Sequence, residues 1–247
     1  MVTYDGVDTA ELAGRLRTPS CLILASVTST LDVIHQLAAE GAPAGTLVVA
    51  EEQVVGRGRF GRRWWSPAGA GIWLGYLVRP TRPLEGGVLS IRVGLALART
   101  LSEMGVEVHL KWPNDLILRG RKLGGVLCEA RRLGDSVDWI ALGIGVNVFG
   151  RPPAEVADRA ASLEEALPGV SRLAVLERLM PKLHRMSDAP FLDTSERALY
   201  EERHWLAGRG LREPASGVAR GIDRDGALLV ETEDGIERIV GGTVVAA

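Results

Sequence analysis

The sequence predicts an α+β protein built on a mixed sheet, followed by a small all-β unit. Three observations carry this. Apolar runs of strand length are mixed with strong amphipathic helices, without the strict βαβ repeat of a doubly wound parallel sheet. Residues 154–206 have helical periodicity throughout. Beyond Gly208-Arg209-Gly210 the chain turns to short apolar runs separated by Asp-Gly pairs, which are hairpin signals.

The elements follow in order. Residues 21–27 (CLILASV) read as a buried strand. Thr28 or Ser29 offers an N-cap for a helix through LDVIHQLAAE, with Leu31, Ile34, Leu37 and Ala38 on one face and Gly41 as the stop. Residues 46–51 and 72–78 are β-branched or apolar strands, joined by a Gly/Arg loop. Residues 88–104 form a helix with Leu89, Val93, Ala96, Leu97 and Leu101 facing inward and Gly105 ending it. A strand at 106–110 delivers KWPNDL, and short strands at 115–118, 125–129 and 139–148 are separated by tight glycine turns. Strands at 218–222, 227–232 and 236–240 complete the chain. A boundary therefore falls near Gly208, giving domains 1–207 and 208–247. Forty residues make a thin core, so the second unit is expected to lean on the first.

Composition narrows the function. The 247 residues are 46% hydrophobic and 24% charged with net charge −2, so nothing draws the whole molecule to nucleic acid or membrane. Cys21 and Cys128 sit in apolar runs without metal-ligand spacing and read as buried thiols. The N-terminal MVTYDGVDTAELAGRLR has early acids and no apolar core, unlike a signal peptide, and no run approaches the roughly 20 apolar residues of a membrane span. A cytoplasmic protein without membrane contact is the expectation.

Any cationic site must be local, and Gly56–Trp65 (GRGRFGRRWW) is the obvious one. Arg57, Arg59, Arg62 and Arg63 alternate with Gly56, Gly58 and Gly61. Glycine lets backbone N–H groups approach an anion, and arginine offers planar bidentate donors to carboxylate or phosphate. The plainer alternative is a solvated or RNA-contacting RG loop. Against it stand Glu51-Glu52-Gln53 before the loop, Trp64-Trp65 after it, and a strand on either side. The spacing is not that of a P-loop, and no helix follows.

Three further segments carry polar groups on tight backbones. In Lys111-Trp112-Pro113-Asn114-Asp115 the proline sets a turn from which Lys111 and Asp115 project either into a common pocket or into a surface ion pair. Arg121-Lys122-Leu123-Gly124-Gly125 puts a cation before a glycine pair, as a ligand contact or a plain hairpin turn. Gly143-Ile144-Gly145-Val146-Asn147 is a strand with small residues where something packs closely.

In order and spacing these segments resemble biotin protein ligases: TST (Thr28–Thr30), EEQxxGRGRxGRxW (Glu51–Trp64), KWPNDL (Lys111–Leu116), RKLGGVLCE (Arg121–Glu129) and GIGVNV (Gly143–Val148). The C-terminal unit is similar to the family's SH3-like domain. The resemblance implies a mixed-sheet catalytic domain of the biotin/lipoate ligase type. It also implies a two-step reaction. Biotin's carboxylate attacks the α-phosphate of ATP, and the biotinyl-5′-AMP then acylates a lysine of a biotin carboxyl carrier domain. By motif position, Lys111, Arg57, Lys122 and Asp115 are implied to be catalytic. Ser29, Thr30, Leu31, Gln53, Gly58, Arg59, Lys122, Gly125 and Gly143 are implied to bind biotin. Arg57, Gly58, Arg59, Arg62, Trp64, Lys111 and Asn147 are implied to bind the nucleotide, and Asp115 to meet Mg²⁺. The loop is implied to close over the carboxylate and phosphate, with Arg57 retaining the adenylate.

Two positions depart from the family pattern: Leu31 stands where Asn is common, followed by Asp32, and Phe60 stands where a basic residue is common. Only 28 residues precede Ser29, fewer than the roughly 50 of an ordinary domain, so a ligase without a DNA-binding domain is expected. Homodimers occur in the family. The rival readings are a lipoate ligase and an RG-loop nucleic-acid-binding protein. The first is disfavoured by the joint presence of the GRGRxGRxW and KWPND segments, the second by the net charge and by an aromatic content of only 5%.

Overall fold

The computed structural model describes residues 2–134, 136–150 and 152–246. Helix α1 (Thr9–Leu16) is capped by Asp8, whose carboxylate accepts the Glu11 N–H at 2.9 Å, and buries Leu12 and Leu16. The sequence reading assigned it no element. Then come β1 (Cys21–Val27), α2 (Thr30–Ala39), β2 (Leu47–Gln53), β3 (Gly71–Val78), α3 (Gly86–Ser102), β4 (His109–Lys111), β5 (Asp115–Leu118), β6 (Arg121–Leu133) and β7 (Ser136–Asn147). The seven strands form one sheet in the order β1-β2-β3-β7-β6-β5-β4. Only β1 and β2 run parallel, and the other neighbours are antiparallel, so the sheet is mixed as expected.

Alternation along the strands sorts side chains onto two faces. Val48, Leu77 and Ala141 pack with Leu31, Ile34 and Ala38 of α2. Their strand neighbours Leu47, Val49, Tyr76, Ile140 and Leu142 point the other way, into the large core that holds Leu89, Val93 and Leu97 of α3. A small layer therefore covers one face and a thick one the other.

Several boundaries differ from expectation. The helical period of 154–206 resolves into α4 (Arg172–His184), α5 (Thr194–Glu201) and two single 3-10 turns at 154–156 and 163–165. Pro168-Gly169 interrupts it, and Ser171 starts α4 by accepting the Ala174 N–H. The intervening chain pairs with β6 instead: Lys122 N–H donates to Arg159 O at 2.8 Å and Ala161 N–H to Lys122 O at 2.9 Å. Residues 106–108 stay outside the sheet, while β6 and β7 extend well past their predicted lengths into an exposed, charged hairpin end. There the antiparallel ladder overrides side-chain preference.

The C-terminal unit has five strands rather than three: β8 (Gly210–Glu213), β9 (Gly217–Ile222), β10 (Leu228–Thr232), β11 (Gly235–Ile239) and β12 (Val245–Ala246), ordered β11-β10-β9-β8-β12 and antiparallel. It does lean on the larger unit, because Leu211, Ala219, Leu228 and Val230 belong to the same buried cluster as α3 and α4. The buried Trp112 indole N–H donates to Gly226 O at 2.8 Å. Gly226, at φ +78°, lies so close to Ile91 that a Cβ there would stand 2.8 Å from it.

His204, just past α5, shows what this packing costs. Its side chain is fully buried, and neither ring nitrogen has a hydrogen-bond partner among the described residues. Burial pushes the imidazole down to about 4, and Glu201, 3.6 Å away with Oε1 accepting the Ile222 N–H, does not offset it. The folded state holds neutral His204, so its contribution is complete above the unfolded-state value near 6.5 and is lost as pH falls from there towards 4. The loss amounts to roughly 3 kcal/mol. His204→Phe should flatten this limb of a stability–pH curve measured by denaturant unfolding. Parallel curves for the two proteins between pH 6.5 and 4 would exclude the assignment.

Candidate active site

The α2 face of the sheet thins out towards the end of β7. Ala141, Gly143, Gly145 and Asn147 share that face, and Ile140, Leu142, Ile144 and Val146 fill the core behind it. Above the glycines lies a cavity of about 480 Å³, and all fifteen residues singled out from the sequence line it. These are Ser29, Thr30, Leu31, Gln53, Arg57, Gly58, Arg59, Arg62, Trp64, Lys111, Asp115, Lys122, Gly125, Gly143 and Asn147.

Strand register aligns the floor. Gly145 pairs with Gly125, Gly125 with Asp115, and Asp115 with Lys111, so four strands contribute one row on one face. Lys122 should point away from that face, being three residues from Gly125. A bulge at Leu123 shifts the register so that Lys122 pairs with Ile117 and joins the same face beside that row. Its ammonium then meets Asp115 Oδ1 at 2.6 Å and lies 5.1 Å from the centre of the Trp64 ring. Gly125 lies directly beside this pair, and a Cβ there would make ordinary contact with Lys122 and Asp115, both at 3.6 Å.

The apolar end is built by close approach. A Cβ on Gly143 would press on Leu31 at 3.2 Å, and one on Gly145 would strike the Trp64 indole at 2.6 Å. The departure at Leu31 is thus a packing choice: the side chain lies over Gly143 and is buried. The Trp64 indole N–H is turned towards Gly145 and is buried without a partner among the described residues. Ser29 caps α2. Gln53 ties that helix start to the loop: its Oε1 accepts Thr30 N–H at 2.9 Å and its Nε2 donates to Ser66 Oγ at 3.0 Å.

The Gly/Arg loop is a narrow hairpin. Trp64 N–H bonds Gly56 O at 2.8 Å and Gly58 N–H bonds Arg62 O at 2.7 Å, leaving 59–61 as the tip. At the tip Phe60 takes φ 58°, a left-handed conformation costly for a residue with a Cβ, and is 67% exposed. Arg59 donates to Gly242 O at 3.3 Å and Arg62 to Thr243 Oγ1 at 3.1 Å, so the tip rests on the C-terminal unit. Burial lowers the pKa of Arg59, with Asp115 opposing and Arg62 adding to the effect.

Arg57 lines the cavity, and its guanidinium is held by Asp32 at 2.5 Å and Glu129 at 3.2 Å. Burial acts against its charge, and the bonds from these carboxylates overcome it. Lys111, by contrast, has no ion-pair partner among the described residues. Asp115, expected to meet a metal, is the only carboxylate among the described lining residues, and it is paired with Lys122. Among the described residues no group of three or more His, Cys, Asp or Glu is arranged to hold a metal.

Sequence reading missed two walls. Pro152, Pro153, Val156, Arg159 and Ala160 form one, held by Asn147 Nδ2 donating to Ala161 O at 3.0 Å. The Pro-Pro pair was its available signal. Gly242, Thr243 and Val244 form the other, for which no local signal exists.

Residues 23–147 match the Biotin/lipoate A/B protein ligase family, and residues 208–245 match the Biotin protein ligase C terminal domain. The chain is 35% identical over 226 residues to the bifunctional ligase/repressor BirA of Bacillus subtilis (strain 168), covering 86% of this chain and 70% of that protein. It is 31% identical over 237 residues to the biotin–[acetyl-CoA-carboxylase] ligase of Mycobacterium tuberculosis, covering 90% and 87%. The biotin protein ligase from Aquifex aeolicus, solved in complex with biotin and ATP, superposes with TM-score 0.76 at 30% identity over 93% of this chain and 99% of that one. Sequence, cavity and fold agree that the chain belongs to the biotin protein ligases of the biotin/lipoate A/B protein ligase family.

Proposed function

We propose that this protein is an ATP-dependent ligase that converts biotin to biotinyl-5′-AMP and transfers the biotinyl group to a lysine of a biotin carboxyl carrier domain. The observation that carries the reading is that five separate motif segments converge on one cavity, apolar at one end and cationic at the other. A carboxylate is a poor acyl donor, so joining it to AMP supplies a leaving group. In the first step a biotin carboxylate oxygen bonds to the α-phosphorus and pyrophosphate leaves. In the second a neutral lysine amine attacks the acyl carbon and AMP leaves.

The apolar acid fits along Gly143, Leu31 and Leu127, with its carboxylate towards Lys122. Lys111 and Arg59 face the phosphates, where charge develops, and cations placed there in advance stabilise the transition state without reorganisation. Trp64 offers a flat face to the adenine, beside Asn147. Asp115, beside Lys122, is placed to take a proton from the incoming lysine. Mg²⁺ would screen the triphosphate. With Asp115 the one lining carboxylate among the described residues, most of its ligands would be phosphate oxygens and water, the ordinary arrangement for this ion. We take 1–207 as the catalytic domain and 208–247 as a domain that completes it through Gly242–Val244. Two unpaired thiols, Cys21 and Cys128, suit the cytoplasm. No helix of the described residues is long and apolar enough to cross a membrane.

Incubation of the purified protein with biotin, ATP and Mg²⁺ should yield biotinyl-AMP by mass spectrometry, and lipoate in its place should yield none. Adenylate from lipoate alone would reverse the assignment. Lys111→Ala should lower the rate of adenylate formation by roughly 10²-fold while biotin affinity stays within threefold, about what one transition-state donor contributes. Normal turnover with weakened biotin binding would make Lys111 a binding residue instead. Gly145→Ala displaces Trp64 and should raise KM for ATP by roughly tenfold, the equivalent of a modest overpacking penalty. An unchanged KM for ATP would remove Trp64 from the nucleotide site.

A further inference from the structure

The Arg57 guanidinium stands in a chain of polar contacts that the proposed chemistry does not use. Thr28 Oγ1 donates to Asp32 Oδ2 at 2.9 Å, and Asp32 Oδ1 accepts from Arg57. On the other side, Glu129 Oε2 accepts from Arg57 at 3.2 Å and lies 3.1 Å from His35 Nε2. The Trp139 indole N–H meets His35 Nδ1 at 3.0 Å. An indole nitrogen only donates, so His35 Nδ1 is the acceptor there. The ring proton is therefore on Nε2 and points at Glu129. This fixes the tautomer, and each carboxylate accepts from both sides: Asp32 from Thr28 and Arg57, Glu129 from Arg57 and His35.

The geometry joins four pieces of the fold: the start of α2 through Asp32, its middle through His35, β6 through Glu129 and β7 through Trp139. All meet at the base of the Gly/Arg hairpin. Directly beside Arg57 the hairpin is sealed, since a Cβ on Gly56 would stand 2.5 Å from Trp64 O. Two residues further on, the tip has only Arg59 and Arg62 resting on the C-terminal unit at 3.3 and 3.1 Å. The loop is therefore firm at one end and lightly held at the other.

We propose that Arg57 is a positioning residue: clamped between Asp32 and Glu129, it anchors the base of the loop so that only the tip from Arg59 to Arg62 opens and closes over the acyl-adenylate. The proposal deepens the ligase reading and rests on it for the identity of what the loop covers. It also gives Asp32, which follows the departure at Leu31, a function the motif pattern does not assign: it is half of the clamp.

A double-mutant cycle tests this, with two readouts on the full chain. The first is the dissociation rate of preformed biotinyl-AMP. The second is the rate at which trypsin cuts the ligand-free protein after Arg59, Arg62 or Arg63, which does not depend on the ligase reading. Arg57→Gln should raise both by about tenfold, the equivalent of losing one charged hydrogen-bonded partner. Asp32→Asn with Glu129→Gln should do the same. In that doubly neutral background Arg57→Gln should add less than about twofold, because nothing is left for it to hold. Arg57→Lys, which keeps the charge and loses the fork, should fall between. Thermal unfolding of each variant should stay within a few degrees of the wild type, and variants that unfold earlier are replaced in the cycle by Asp32→Asn alone. The proposal is overturned if Arg57→Gln still accelerates adenylate loss about tenfold in the neutral background, since Arg57 would then touch the ligand itself. It is equally overturned if trypsin cutting rises while adenylate loss does not. If the wild type forms no adenylate, the ligase reading fails, and the trypsin cycle alone still decides whether the clamp exists.

Discussion

Everything at this site depends on how closely backbone and side chain approach at one row of strand residues. Gly145 and Gly125 are cross-strand partners, and Asp115 and Lys111 continue their row. With a side chain at Gly145, Trp64 could not lie on the sheet, whereas one at Gly125 would only touch Lys122 and Asp115 where they meet. Glycine weakens a strand by entropy and lost packing, so two in the middle of a sheet are a local cost. Here the opposite face of the same strands offsets it: Leu142, Ile144, Val146 and Val126 are almost fully buried in the main core. One strand thus does two jobs, bulky on the face that folds and bare on the face that binds.

Much of this was legible in the sequence. Strands β1, β5 and β9, helix α2 and the DG-turned C-terminal hairpins follow from alternation, caps and breakers, because those signals are local. So does the convergence of the motif residues, through their resemblance to a known family. What escaped was non-local. The bulge at Leu123 that re-aims Lys122 exists only in the pairing of β5 with β6, and no property of RKLGG alone announces it. The part of the wall at 154–160 read as helix because its apolar spacing fits that period, yet its backbone found partners at Lys122. That carboxylates hold the Arg57 guanidinium was not visible in the loop either. Its partners Asp32 and Glu129 lie 25 and 72 positions away along the chain.

The loop shows why counting charges misleads. Four arginines suggest a strongly cationic surface, but three of them are engaged within the fold: Arg57 by carboxylates, Arg59 and Arg62 by a carbonyl and a hydroxyl of the C-terminal unit. These neutral contacts hold the tip without cancelling its charge, so the two cations at the cavity remain available to an anion. Differences in how each arginine is held, more than their number, divide the loop into a base and a tip.

The wall formed by Gly242, Thr243 and Val244 has a consequence for how the protein comes into being. A ribosome releases the chain from its N-terminus, and domains fold as they emerge. The row of glycines, the lysines and the arginine loop are all present long before residue 242 leaves the exit tunnel. Until then Arg59 and Arg62 have no perch, and the site is an open trough facing water. Any reactive intermediate formed before those residues are in place would be exposed to hydrolysis or to stray amines. Placing this wall after every other lining residue in the sequence makes synthesis of 242–244 a condition for sheltering the chemistry.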